Sequence, residues 1–236
     1  MKLFYSPTSP YVRKVMAAAI HRGLAGRIEK VTTNPHQSPP ELLAANPLSK
    51  VPCLVTDDGF ALFDSPVICE YLDSLGEAPP LFPPPNSAHR WHALRMQALA
   101  DGILDAAVLR RMEKGRPREA ARDAVMERQR QAIERGLAFL ERDLPGKVLD
   151  IGEAEIEIAE CAGHRLAADI ERGLAFLERD LPGKVLDIGG VAVACALGYL
   201  DFRFADEPWR ASCPKLAAWY AEVSALPAFA ETAPSE

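Results

Sequence analysis

Five prolines fall within twelve residues at positions 76–87, GEAPPLFPPPNS. Proline lacks a backbone N–H and clashes with a preceding helical turn, so such a stretch neither continues a helix nor pairs as a central strand. It reads as a stiff linker. The chain therefore divides into residues 1–76, a connector at 77–86, and residues 87–236, and the two flanks carry different periodicities.

Before the linker, strand and helix signals alternate. Residues 2–5 read as a strand. Val12, Val15, Met16, Ala19 and Ile20 follow at helical spacing, with Gly23 as the stop. Residues 27–32 form a second strand candidate, and Pro39-Pro40 opens a short helix that ends near Ala45, because Pro47 biases Asn46 away from helix. Residues 51–55 and 60–63 flank Asp57-Asp58-Gly59, a hairpin signal. Residues 65–75 read as a helix with Ser65 as N-cap and Gly76 as stop. The order β-α-β-α-β-β-α defines a small α/β domain whose last two strands are antiparallel. After Ser87 the periodicity is helical almost throughout, with helices expected near 87–113, 118–144, 190–203 and 214–226. The fold class is α/β plus all-α, an α/β head on a helical body.

A repeat interrupts the helical body. Residues 133–152, IERGLAFLERDLPGKVLDIG, recur at 170–189 with an offset of 37. Two copies do not make a solenoid, which needs at least three. They read as a local duplication of one helix and its exit loop, and removing segment 153–189 leaves a complete 199-residue plan. Ile133, Leu137, Leu140 and Leu144 present the same apolar stripe as Ile170, Leu174, Leu177 and Leu181. One groove holds one stripe, and leaving the other wet would forfeit roughly 1.5–3 kcal/mol per side chain. The expectation is an added helix over 153–181 on the bundle surface or at a subunit contact; the competing arrangement seats the second copy in the groove and displaces the first.

Composition removes several classes of function. With 48% hydrophobic and 25% charged residues, the chain has the balance of a globular protein. A net charge of −6 with interspersed signs offers no nucleic-acid surface. The start lacks an apolar leader core and a small-residue cleavage site, so a cytoplasmic protein without membrane association is expected. Five widely spaced cysteines with no CxxC argue against a disulfide framework or zinc site. His89 and His92 have metal-pair spacing but no third ligand, and no phosphate loop of the GxxxxGK type occurs.

Three short constellations carry chemistry. In Tyr5-Ser6-Pro7-Thr8-Ser9-Pro10-Tyr11-Val12-Arg13, a hydroxyl stands at a helix start among free N–H groups and the positive end of the helix dipole. That setting favours an anion such as a thiolate, although Ser9 before Pro10 is equally a plain N-cap. Lys50-Val51-Pro52-Cys53 places proline at the head of a strand, where a cis bond would turn the Val51 backbone outward toward an extended peptide. Phe63-Asp64-Ser65-Pro66 joins an acid and a hydroxyl at another helix start, suited to an amino-acid head group or to simple capping.

Taken together with their order, these residues resemble a bacterial cytosolic glutathione S-transferase of the serine type. The resemblance rests on KLFYSPTSPYVRKV, NPLSKVPCLV and FDSPVICEYLD, and further on ALADGILDAAV and ACALGYLDFR. It implies a thioredoxin-like N-terminal domain, an all-helical C-terminal domain and a homodimer, with glutathione as co-substrate and no metal. By that resemblance Ser9 activates the glutathione thiol for attack on a small, largely apolar electrophile. Val51 pairs with the cysteinyl portion, Asp64 and Ser65 hold the γ-glutamyl group, and Lys50 with His36 meets the glycyl carboxylate. Tyr11, Leu99, Ile103, Ala107 and Trp209 would line the second-substrate cleft; Asp101 is either a site or cross-subunit residue or an ordinary helix charge. A glutathione-dependent isomerase or lyase, and a non-catalytic binding protein on the same fold, are the alternatives. One departure stands out: relatives start the buried helix with a Ser/Thr-x-x-Asp capping box, whereas this chain has Asp187-Ile188-Gly189-Gly190.

Overall fold

In the computed structural model, residues 1–145 and 186–234 are described. Strand β1 (Lys2–Tyr5) is an inner strand of a four-stranded sheet ordered β2-β1-β3-β4. It pairs in parallel with β2 (Glu29–Thr32) and antiparallel with β3 (Cys53–Val55), and β3 pairs antiparallel with the two-residue β4 (Ala61–Leu62). Leu3 sits opposite both Lys30 and Leu54. The hairpin turn falls where Asp57-Asp58-Gly59 signalled it: Gly59 adopts φ +88°, open to glycine, and the Phe60 N–H donates to Thr56 Oγ1 at 3.0 Å. Strand β3 starts two residues later than the sequence reading, because Pro52 has no N–H for the ladder.

Helices α1 (Pro10–His21), α2 (Pro40–Ala45) and α3 (Ser65–Leu75) complete the first domain. Ser9 caps α1, Pro10 occupies its first position, and Gly23 at φ +73° turns the chain out of it. The proline-rich connector is fastened at both sides. The Leu81 and Phe82 N–H groups donate to the Asp73 carboxylate at 2.8 and 3.1 Å, and Leu81 O accepts from Ile188 N at 2.9 Å. Leu81 thus enters the core between the two domains.

The helical domain contains α4 (Ala88–Lys114), α5 (Ala120–Arg142), α6 (Ile188–Arg203), α7 (Pro214–Ser224) and α8 (Pro227–Ala230). A single helix over 214–226 was expected; Pro227 instead sets Leu226 to φ −65°, ψ 144° and opens a separate short helix. Helix α6 is buried from Ile188 to Leu200 and forms the axis of the bundle. Its Gly189 lets α4 approach so closely that a Cβ there would stand 2.7 Å from the Ala93 carbonyl oxygen.

The first repeat copy occupies the bundle groove. Ile133, Leu137 and Leu140 are buried, and Gly136 admits the Ile103 side chain against α5. The second copy supplies the cap of α6: Asp187 Oδ1 accepts from Gly190 N at 2.8 Å, replacing the missing capping box. The helix expected over 153–181 lies outside the described residues.

Candidate active site

The site begins where β1 delivers the chain to α1. The Ser9 N–H donates to Ser6 O at 3.1 Å, closing a turn that sets Ser9 in extended backbone at φ −82°, ψ 121°. Ser9 Oγ accepts from Val12 N at 3.3 Å. A hydroxyl carries one donor besides its acceptor lone pairs, so capping leaves the Ser9 O–H available to an outside group. Ser9 and Arg13, one turn apart, line a small cavity closed from the helical domain by Cys195 and Tyr199 of α6. Tyr5 is packed partly into the core under the ring-facing ammonium of Lys30.

The Val51–Pro52 bond is cis, and Val51 is half-buried just before the start of β3. Among the described residues no hydrogen bond takes up its N–H or C=O, which leaves both for an extended ligand. The preceding loop is held by a side chain the sequence reading passed over. Asn46, buried, donates from Nδ2 to Lys50 O at 3.0 Å and accepts at Oδ1 from Leu48 N at 3.1 Å. Ser49 Oγ donates to Pro35 O at 2.9 Å and so ties the loop of exposed Lys50 to the turn of exposed His36. At α3, Asp64 and not Ser65 takes the N-cap position: Ser65 is the first helical residue, 2% exposed, while the exposed Asp64 carboxylate makes no capping bond.

Across the domain boundary, α1 meets α4 through polar side chains. The Tyr11 hydroxyl donates to Asp105 in a short hydrogen bond, and burial with that neighbouring carboxylate pushes the phenol pKa well above its ordinary value. Lys14 is fully buried and grips both oxygens of Asp101 at 2.6 and 2.8 Å. Burial pushes the Asp101 carboxyl up in spite of this partner. Asp101 is therefore an interdomain tie and not an ordinary surface charge. Of the remaining cleft candidates, Leu99 is half-buried beside the core. Ile103, Ala107 and Trp209 are buried inside the helical domain; Trp209 Nε1 donates to Asp201 at 2.9 Å. Ile103 and Ala107 lie on the stripe of α4 that α5 and α6 cover, and Trp209 packs in from the turn after α6, so these three fill the core and do not reach an open cleft.

Arg13 ends the Tyr5–Arg13 stretch, but nothing in its local sequence assigns it a role. Its guanidinium is buried, donating from Nη2 to Phe229 O at 3.2 Å, while Nη1 has no hydrogen-bond partner. The signal that could have found it is Gly198, a gap in an apolar run: a Cβ there would lie 2.0 Å from Arg13 Nη1. His89 and His92 contact Asp187 and Asp143 at 3.1 and 3.4 Å, so each histidine holds a helix end and the two do not converge on a metal. Among the described residues no group of three or more His, Cys, Asp or Glu side chains could hold a metal ion, and no helix is long and apolar enough to cross a membrane.

A thioredoxin-like sheet followed by a helical domain is the fold of the glutathione S-transferases, and the chain belongs to the glutathione S-transferase family. Residues 8–75 match the glutathione S-transferase N-terminal domain and residues 123–222 its C-terminal domain. The uncharacterized GST-like protein YibF of Escherichia coli (strain K12) is 31% identical over 234 residues, covering 99% of this chain and 98% of YibF. A glutathione transferase family member from Pseudomonas fluorescens Pf-5, solved with bound glutathione, is 38% identical with a TM-score of 0.77, covering 100% of this chain and 99% of that one. A glutathione S-transferase from Methylobacillus flagellatus KT, also with glutathione bound, is 32% identical with a TM-score of 0.76, covering 99% of each chain.

Proposed function

We propose that the protein is a glutathione transferase in which the Ser9 hydroxyl donates a hydrogen bond to the glutathione thiolate. The observation that carries this reading is the Ser9 oxygen: its acceptor side is used by Val12 N–H, its donor is unspent, and it stands at the positive end of a twelve-residue helix. A thiol has an ordinary pKa near 8.5, and each unit of depression corresponds to about 1.4 kcal/mol of selective anion stabilisation. A hydrogen bond to a charged partner contributes about 1.5–3 kcal/mol, enough to shift the thiol by one to two units. The thiolate sulfur then forms a bond to the electrophilic carbon, whose electron pair leaves with a departing group or passes into a conjugated acceptor.

In the same reading the Val51 backbone pairs with the cysteinyl portion of glutathione. Asp64 and Ser65 hold the γ-glutamyl head group, and Lys50 with His36 meets the glycyl carboxylate, on loops that Asn46 and Ser49 keep in place. The electrophile enters beside Tyr11 and Leu99. Residues 1–76 form the glutathione-binding unit and 87–236 the helical one, and the active particle is a homodimer. The test is glutathione affinity together with turnover of a model electrophile, in wild type and Ser9→Ala. Retained binding with turnover reduced about 10–100-fold supports the reading. Full turnover in Ser9→Ala removes the role of Ser9, and binding without any turnover in the wild type indicates a docking protein on this fold.

A further inference from the structure

Helices α4 and α5 join through an elbow at residues 115–119, and a groove of about 320 Å³ opens beneath it, at the lower end of the range of small-molecule pockets, roughly 300–1,000 Å³. It shares no lining residue with the Ser9 cavity. Five cations line it, Arg110, Lys114, Arg118, Arg122 and Arg130, against two carboxylates. The carboxylates are already matched. Glu127 pairs with Arg130 at 2.7 Å, and that guanidinium, helped by Gln131, holds the Glu127 carboxyl down at about 2. Asp123 faces Arg118 at 3.4 Å, and Glu207, arriving from beyond α6, takes Arg110 at 2.8 Å.

Lys114 shares Asp206 and Glu207, and Arg130 also meets Glu134, so one lining cation, Arg122, is left without a carboxylate. Arg122 makes no carboxylate contact: its Nε donates to Glu113 O at 2.8 Å and Nη2 to Lys114 O at 3.4 Å, so its guanidinium is parked on the carbonyl end of α4. Lys114 Nζ comes no nearer than 3.9 Å to Asp206 and Glu207, and lies 4.7 Å from the centre of the Phe204 ring. Two further features favour an anion. Arg110 is 6% exposed, and its buried Nε has no hydrogen-bond partner. The 23-residue helix α5 begins here with Glu119 at its N-cap making no side-chain capping bond, which leaves the first-turn N–H groups without their usual acceptor.

We infer that the α4–α5 elbow is a binding site for a small polyanion bearing phosphate or carboxylate groups. Arg122 supplies the charge that no carboxylate holds, and guanidinium groups offer paired donors to either kind of oxyanion. Calorimetric titration of the full chain at low ionic strength tests it, with pyrophosphate and citrate as the probes and sodium chloride at matched ionic strength as the control. Saturable one-to-one binding of either probe is expected, weakening steeply with added salt. The tighter of the two assigns the phosphate or the carboxylate class. Arg122→Gln should weaken binding at least tenfold. Arg118→Gln, at a side chain 83% exposed and therefore safe for folding, should weaken it several-fold. Heats no larger than those of chloride, or unchanged affinity in Arg118→Gln and in folded Arg122→Gln, overturn the proposal.

Discussion

Replacing Gly198 with alanine tests how the helical domain supports the Ser9 helix. By backbone propensity alone the change in mid-helix should stabilise α6 by up to about 1 kcal/mol. The packing opposes it. A Cβ at 198 would lie 2.0 Å from Arg13 Nη1, 3.2 Å from its Cζ and 2.7 Å from the Tyr220 hydroxyl. Arg13 cannot swing away freely, because Nη2 is held by Phe229 O at 3.2 Å and Nε by Thr232 Oγ1 at 3.5 Å. Overpacking costs about 1–3 kcal/mol, and losing a hydrogen bond from a charged group about 1.5–3 kcal/mol. After the propensity gain, a net destabilisation of about 1.5–5 kcal/mol follows. Gly102→Ala in α4 is the control, since nothing lies within 4 Å of its Cβ position; it should leave stability unchanged or raise it by up to about 1 kcal/mol. Urea unfolding of both variants beside wild type gives the comparison. If the two alanines shift the midpoint alike, the close approach of Arg13 to α6 is not a constraint and the reasoning fails.

Further consequences follow from the cap and the thiols. Asp187→Ala removes the side chain that caps α6 and should cost about 1–2 kcal/mol by urea unfolding, with Asp187→Asn recovering most of it; an unmoved midpoint in the alanine variant would contradict the capping role. Burial pushes the Cys69 thiol up to about 12 and those of Cys53 and Cys195 to about 11 from the ordinary 9.0. These three should therefore resist iodoacetamide at pH 8 until the protein is unfolded, as read by site-resolved mass spectrometry, and fast labelling of Cys195 would contradict the packing. Because their folded values are raised, the stability they contribute is complete below about pH 9 and declines as pH climbs from there through 11.

Much of this fold was legible because local signals agreed with one another. Ser9-Pro10 and Asp57-Asp58-Gly59 each fix backbone geometry through a few neighbouring atoms, and the structure places a helix start and a hairpin there. Residues whose role depends on distant partners were not legible. Arg13 and Lys14 look like solvent charges on α1 until α6 and α4 cover them, and Asn46 becomes a loop clamp only when Lys50 folds back over it. Ile103 and Ala107 show the converse. An apolar helical stripe has the same periodicity whether it lines a cleft or a core, and which of the two it becomes is decided by the packing of α5 and α6. The repeat is a sharper case, because identical residues carry identical local information; the groove holds Leu137 and Leu140 of the first copy, while the second contributes Asp187.

The ionisation of bound glutathione is the most direct measure of the role given to Ser9. Thiolate absorbance of the protein with glutathione, followed from pH 5 to 10, should give a thiol pKa at least one unit below that of free glutathione in the wild type, and a value restored to within about half a unit of the free thiol in Ser9→Ala. Equal pKa values in the two proteins, with glutathione bound equally well, would show that some other group holds the sulfur anion.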